Sequence, residues 1–363
     1  MLTRTQINIL FLHCLAAALI WLGGCAGLTQ YGPAEPPLLS PDQQTRVGEV
    51  VAGKLIQVLG GPYHDERLAA DLNRLSGLQA PRPPVIAVAD RSAAELYPLL
   101  GGRIVMTRGL LAGVRSRAEL DSLLHYAAQL ASGVYRERMS RSMVETAGQV
   151  LSAMDSVYDP EAPAIRLARL FARNPCGQGC LAPALSGLAP VDRQGSQALP
   201  ESVRRLAGLQ PGFELLASAR ESEQRDDQGK AIATYLQAAA KTPDEPYILG
   251  ALGLAYLRAE QLQPARLHLQ KAVALQPDYY RTLMGLGYLS LQQGKYQQAN
   301  EILADSVRLL AVAENLFLLA EAREKSGDTQ GAMALYRLVA ESDRYGKLGR
   351  SAAARLVPTA GAQ

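Results

Sequence analysis

At 363 residues the chain has room for two packed domains, and 48% hydrophobic with 20% charged residues is the balance of a globular protein, which excludes wholesale disorder. A net charge of +3 is too small for a nucleic-acid binder, and no basic stretch is interleaved with aromatics as single-strand binding requires.

The first element in chain order is a leader. Arg4 supplies a positive start, and Ile7 to Leu22 is an apolar run broken only by Asn8 and His13. Leu22-Gly23-Gly24-Cys25 closes it. A charged start, a short apolar core and small residues before a cut describe a signal peptide over 1–24, because a membrane span needs ~20 apolar residues. The closing four residues resemble the bacterial lipobox, which implies acyl chains on the thiol and the amine of Cys25. Each buried methylene contributes ~0.8 kcal/mol, so two or more chains hold a protein stably on a membrane. A plain cleaved signal or a short anchor helix is the alternative. Ala26 in place of Asp implies, by resemblance to enterobacterial sorting, the periplasmic face of the outer membrane over the inner one. Pro33, Pro36, Pro37 and Pro41 make 25–43 a lipidated, proline-rich tether.

From residue 44 to 205 the pattern predicts an α+β domain, mostly helical with a small sheet. Val47, Val50, Val51, Leu55 and Leu59, then Leu68, Leu72 and Leu75, recur at helical spacing on either side of a Gly60-Gly61-Pro62 break. Val85–Ala89 reads as a buried strand, and Arg103–Thr107, entered through Gly101-Gly102, as a second. Glu119–Gly133 is a helix with Leu120, Leu123, Leu124, Ala127, Ala128 and Ala131 on one face. Ile165, Leu167, Leu170 and Phe171 alternate with Arg166, Arg169 and Arg173 in a basic amphipathic helix, which packs on its own domain or lies on anionic lipid. The Gly/Pro/Ser-rich 175–200 reads as an irregular loop. In an oxidising compartment Cys176 and Cys180 suit a disulfide across a tight turn, with free thiols or a redox or metal role as alternatives.

The second half repeats. Ala231, Ala265 and Ala299 are 34 apart and Ala332 follows after 33; Gly253/Gly287 and Pro243/Pro277 share the 34-residue period. Leu249, Leu252, Gly253, Tyr256, Ala265, Leu269, Ala272 and Pro277 resemble the packing positions of the tetratricopeptide repeat (TPR). Four repeats are predicted, 212–245, 246–279, 280–312 and 313–346, with a capping helix near 347–357, so that 206–357 is an all-α solenoid. The first helix of each repeat would line a concave face. That places Tyr247, Leu254 and Leu257, then Arg281, Met284, Tyr288 and Leu291, then Glu314, Phe317, Glu321 and Glu324 as peptide-binding candidates, unless the same face packs on the first domain.

Residues Glu95–Leu111, containing Gly101-Gly102-Arg103-Ile104-Val105-Met106-Thr107-Arg108-Gly109-Leu110-Leu111, resemble the stretch before the active site of HtpX-like and BepA-like zinc metallopeptidases. Glu119–Leu130 stands where that family has its HExxH helix. Two histidines one turn apart hold Zn²⁺ and the intervening Glu activates water. Here those positions are Tyr126, Ala127 and Leu130, no one-residue slip makes His125 and Gln129 a substitute, and the third ligand falls near Val144 or Glu145. The resemblance therefore implies a peptidase domain that has lost its zinc and has no cofactor, with a divergent zinc enzyme as the alternative. It also implies a sheet edge at Arg103, Val105 and Thr107 that pairs with extended polypeptide without metal. No G-x-S-x-G elbow or phosphate-binding loop is present. The expectation is a membrane-anchored scaffold that holds polypeptide partners in envelope or outer-membrane protein assembly and does not cut them, or a plain TPR adaptor.

Overall fold

A computed structural model describes residues 39–78, 84–131 and 198–357. The leader, Cys25, the tether before residue 39, Glu145, the basic 165–173 segment and the Cys176/Cys180 pair lie outside the described residues. Elements are numbered over the described residues only.

Helix α1 (Pro41–Val58) buries Val47, Val51 and Leu55 at four-residue intervals. It begins inside the stretch expected to be tether, because a proline at a first helical position lacks an N–H that would have no partner there anyway. The expected break follows. Gly60 and Gly61 take φ of 118° and 94°, values that only glycine adopts without strain. Gly61 then accepts the Asp90 N–H (2.9 Å), and the Tyr63 N–H reaches the Val88 carbonyl (2.9 Å), so the turn seals the outer edge of β1. Helix α2 (Glu66–Gly77) is capped by Asp65, which accepts the Leu68 N–H at 3.0 Å.

Strands β1 (Val85–Ala89), β2 (Leu96–Leu99) and β3 (Arg103–Thr107) form a sheet of order β1-β3-β2. β3 runs parallel to β1 and antiparallel to β2. The sequence did not mark β2, since Pro98 argues against a strand; Pro98 sits on an edge strand, where a missing donor is tolerated. Helix α3 (Arg108–Ala112) leaves β3 directly under a Thr107 cap, and α4 (Arg117–Ala131) lays Leu120, Leu123, Leu124 and Ala127 on the core. That core also takes Leu68, Leu72 and Leu75 from α2 and Ile104 and Met106 from β3.

Helix α5 (Glu201–Gln224) corrects the expected boundary at 205/206. Its Val203 and Leu206 pack in the α+β core, whereas Phe213, Leu216 and Ala219 pack in the repeat core. The first repeat therefore begins inside one continuous 24-residue helix that carries Pro211 within it. The sequence hides this helix because its apolar residues serve two cores on two faces, so no single amphipathic stripe runs through it.

The hairpins follow the expected register: α5 with α6 (Gln228–Lys241), α7 (Pro246–Arg258) with α8 (Leu262–Leu275), α9 (Tyr280–Gln292) with α10 (Tyr296–Leu309), α11 (Ala313–Lys325) with α12 (Thr329–Ser342), then α13 (Lys347–Leu356). A Cβ on Gly253 would stand 2.6 Å from Leu269 Cγ, and one on Gly287 2.5 Å from Leu303 Cγ. Both positions must be bare for the helices of one repeat to cross. Every hairpin turn contains one left-handed residue: Asp226 (φ 60°), Glu260 (57°), Gly294 (71°) and Gly327 (95°). The sequence period thus reproduces a backbone period, and the second half is a TPR-like helical solenoid.

Candidate functional site

The upstream end of the expected concave face, at Tyr247, is covered by the chain itself. The Gln57 amide donates to the Asp278 carbonyl (2.6 Å) and accepts the Tyr280 N–H (3.0 Å). Gln276 donates to the Pro62 carbonyl, His64 contacts Asp278 at 2.8 Å, and Lys54 reaches the Arg308 carbonyl at 3.3 Å. The turn at Gly60 lies against the Tyr247 ring. Tyr247 is therefore corrected from binding residue to interface residue. It is 7% exposed, its hydroxyl accepts from Arg220 at 2.6 Å, and its ring lies between Phe213 and Tyr279. Burial is the main reason the Tyr279 hydroxyl is held well above its ordinary pKa. Leu291 likewise belongs to the repeat core and not to the face.

At the heart of this interface is a charged cluster that sequence reasoning missed. Arg108, the first residue of α3, is fully buried and donates from Nε to Asp90 Oδ1 at 2.8 Å. Its guanidinium lies 3.1 Å from the centroid of the Phe213 ring. Glu245, immediately before α7, is buried as well, and its negative charge and that of Asp90 act on each other. Burial is the largest cause pushing both carboxyls up, Glu245 well above its ordinary range, with Arg108 pulling the other way. Asp90 Oδ2, Glu245 Oε1 and both Arg108 Nη atoms are buried without a hydrogen-bond partner. The available signal was Arg108 itself, an arginine between the apolar strand Ile104–Met106 and Leu110-Leu111, a setting that requires a buried carboxylate.

Further along, the face stays open. Leu254 and Leu257 of α7, Met284 and Tyr288 of α9 and Phe317 of α11 are half-buried on successive first helices. Leu254 and Leu257 flank Gly285, where a Cβ would meet them at 3.0 and 3.4 Å. Arg281 is exposed, with its Nε donating to the Tyr280 hydroxyl at 2.9 Å. Glu314 is exposed, whereas Glu321 pairs with Arg355 of α13 at 3.6 Å and Glu324 bonds both Arg355 and the Tyr336 hydroxyl. Phe317 meets Tyr336 edge-on at 5.5 Å.

The sheet-edge expectation is overturned. β3 is the central strand, with Val105 paired to Ala87 on one side and Tyr97 on the other. Arg103 is held by Glu49 at 3.4 Å, Val105 is fully buried, and the Thr107 hydroxyl bonds Ala93 and Glu95 and caps α3. A strand hydrogen-bonded on both edges has no ladder to offer a substrate.

Nor do the family's zinc positions fit the metal. Tyr126, Ala127 and Leu130 carry no ligand, Ala127 is fully buried in the core, and His125 hydrogen-bonds Gln129 at 2.9 Å. Among the described residues no group of three His, Cys, Asp or Glu side chains is placed to hold a metal ion.

No family model matches the sequence, and no curated protein matches it. Solved structures that resemble parts of the chain include MamA from Desulfovibrio magneticus RS-1, at 16% identity over 40% of this chain and 90% of that one, with a TM-score of 0.34. A thermophilic TPR protein of Thermus thermophilus matches at 16% identity over 40% and 98%, TM-score 0.31. The first TPR of Spaghetti (RPAP3), bound to the HSP90 peptide SRMEEVD, matches at 16% identity over 37% and 93%, TM-score 0.26. At such scores the likeness carries no weight, and the repeat assignment rests on the 34-residue period, the bare crossings and the left-handed turns of this chain.

Proposed function

We propose that the protein is a lipid-anchored scaffold of the bacterial envelope that binds a polypeptide on the open half of its repeat face. The observation that carries this reading is the row Leu254, Leu257, Met284, Tyr288 and Phe317. It is apolar, half-exposed and continuous over three first helices, whereas the upstream end of the same face is sealed. Anchoring rests on the lipobox-like Leu22–Cys25, and a role in envelope or outer-membrane protein assembly on the resemblance of 95–111 and 119–130 to periplasmic peptidases. The α+β part acts as a docked, non-cleaving layer, since Tyr126, Ala127 and Leu130 supply neither ligand nor base.

A photo-crosslinker placed at Met284 or Tyr288 of the full chain should give a discrete polypeptide adduct in the native envelope. A crosslinker at the exposed, convex Leu267 should not, and Phe317→Asp should abolish the adduct without unfolding the repeats. Equal adducts at Met284 and Leu267 would remove the basis for the reading. Cys25→Ala should release the protein from membranes; retention without acyl mass would remove the anchoring claim.

A further inference from the structure

Helices α6 and α8, the second helices of the first two repeats, contain no acidic residue, yet both expose leucine and lysine. Leu236 of α6 and Leu262, Leu267 and Leu275 of α8 all stand in solvent, Leu267 at 66% exposure. A lone exposed leucine is ordinary on a protein surface, but several on two helices that carry no carboxylate make a patch. The two helices are tied where Lys271 Nζ donates to the Pro243 carbonyl at 2.9 Å and pairs with Asp244 at 3.1 Å. Lys230, Lys241 and Arg266 make no ion pair among the described residues, and both lysines are exposed. The patch has a sharp border. One repeat on, 34 residues after Leu267 and Lys271, stand Glu301 and Asp305, both exposed on α10. The other acids beside the patch lie in the hairpin turns, Asp226 and Asp227 before α6 and Glu260 before α8.

We propose that the convex face of α6 and α8 docks on an anionic phospholipid surface, which turns the open repeat face away from the bilayer. The lysines meet headgroup phosphates, and the leucines reach the edge of the acyl region. A convex face has no cleft with which to grip a folded protein. A bilayer needs none, because it offers negative charge and an apolar layer together over any contour. Each cation brought near such a surface strengthens the contact about fivefold. Glu301 and Asp305 are repelled by the same headgroups, which confines the contact to the upstream repeats. By itself the patch gives only marginal, reversible binding, so it orients the chain and does not replace an anchor. It takes the nearness of the membrane from the anchoring reading above and nothing from the reading of the groove.

The test places a photo-crosslinker at Leu267, and in a second protein at Glu301, of the full chain on vesicles of phosphatidylcholine with phosphatidylglycerol. Phospholipid adduct at Leu267 should exceed that at Glu301 about fivefold or more. Lys230→Gln combined with Lys241→Gln should lower the Leu267 adduct by up to about 25-fold, about fivefold for each charge removed. Both lysines lie on the surface, so the variant keeps its fold. Vesicles of phosphatidylcholine alone should lower the adduct in the same way. An adduct at Leu267 no greater than at Glu301 would overturn the proposal, whether or not the chain is anchored. So would an adduct indifferent to phosphatidylglycerol, or a discrete polypeptide adduct at Leu267 in the native envelope. Phospholipid adduct at Leu267 from a chain that carries no acyl mass would support the patch and remove the anchoring claim instead.

Discussion

The Arg108 guanidinium lies 3.1 Å from the centre of the Phe213 ring, and this stack joins the strand–helix junction of the α+β layer to the helix shared by both cores. A fully buried arginine is tolerated there because Asp90 takes its Nε and an aromatic face takes its plane. From Phe213 the aromatic contacts run on through Tyr247 and Tyr279 to Tyr280, and Arg281 closes the row over the Tyr280 ring.

Removing one member of the Arg108 pair should be far worse than removing an exposed pair. Arg108→Ala leaves Asp90 buried without its counter-ion and should cost about 3–5 kcal/mol. Arg74→Ala, whose partner Asp71 lies on the surface of α2, should cost about 0–1 kcal/mol. Urea denaturation of the two variants checks the contrast, and equal costs would mean that the Arg108 site is wet.

The repeated left-handed turn makes opposite predictions at equivalent positions. Glu260 carries a side chain at φ 57°, so Glu260→Gly should stabilise by up to about 1 kcal/mol. Gly294→Ala, at φ 71°, should destabilise by about 1 kcal/mol. Paired thermal melts decide it: a shift of the same sign in both variants would show that the turn is not limited by backbone conformation.

Introducing an HExxH motif into helix α4 should not create a metal site. Ala127→Glu puts an acid into the apolar core among Leu120, Leu123 and Leu124 and should lower stability by several kcal/mol, whereas Tyr126→His, at a half-buried position, should cost about 1 kcal/mol or less. The triple change Tyr126→His, Ala127→Glu, Leu130→His folding normally with one zinc per chain would reverse this reading of helix α4.

Burial of the Glu245 carboxyl also sets a direction for global stability. Glu245 is held above its unfolded value, so its contribution is complete below the ordinary glutamate range and declines as pH rises towards its folded pKa. The melting temperature of the wild type should therefore fall relative to Glu245→Gln as pH rises from about 5 to about 8. A constant difference between the two proteins would show that the carboxyl does not titrate on unfolding.

What the sequence determined by itself was whatever is local or periodic. The 34-residue spacing of Ala231, Ala265 and Ala299, with Gly253 and Gly287, fixed the hairpins and their register, because helix crossings at one period demand small residues at one period. Gly60-Gly61 likewise marked a turn that only glycine makes. Tertiary structure alone decided the rest. It made Arg103–Thr107 the middle of a sheet by pairing it with a proline-bearing strand, and it ran α5 through an expected boundary by giving its two ends to two cores. It also turned Tyr247 from a binding residue into a buried interface residue, and gathered Asp90, Arg108 and Glu245 from positions far apart in the chain. Strand order, docking and buried charge pairing depend on which distant surfaces meet, and no period along one chain carries that information.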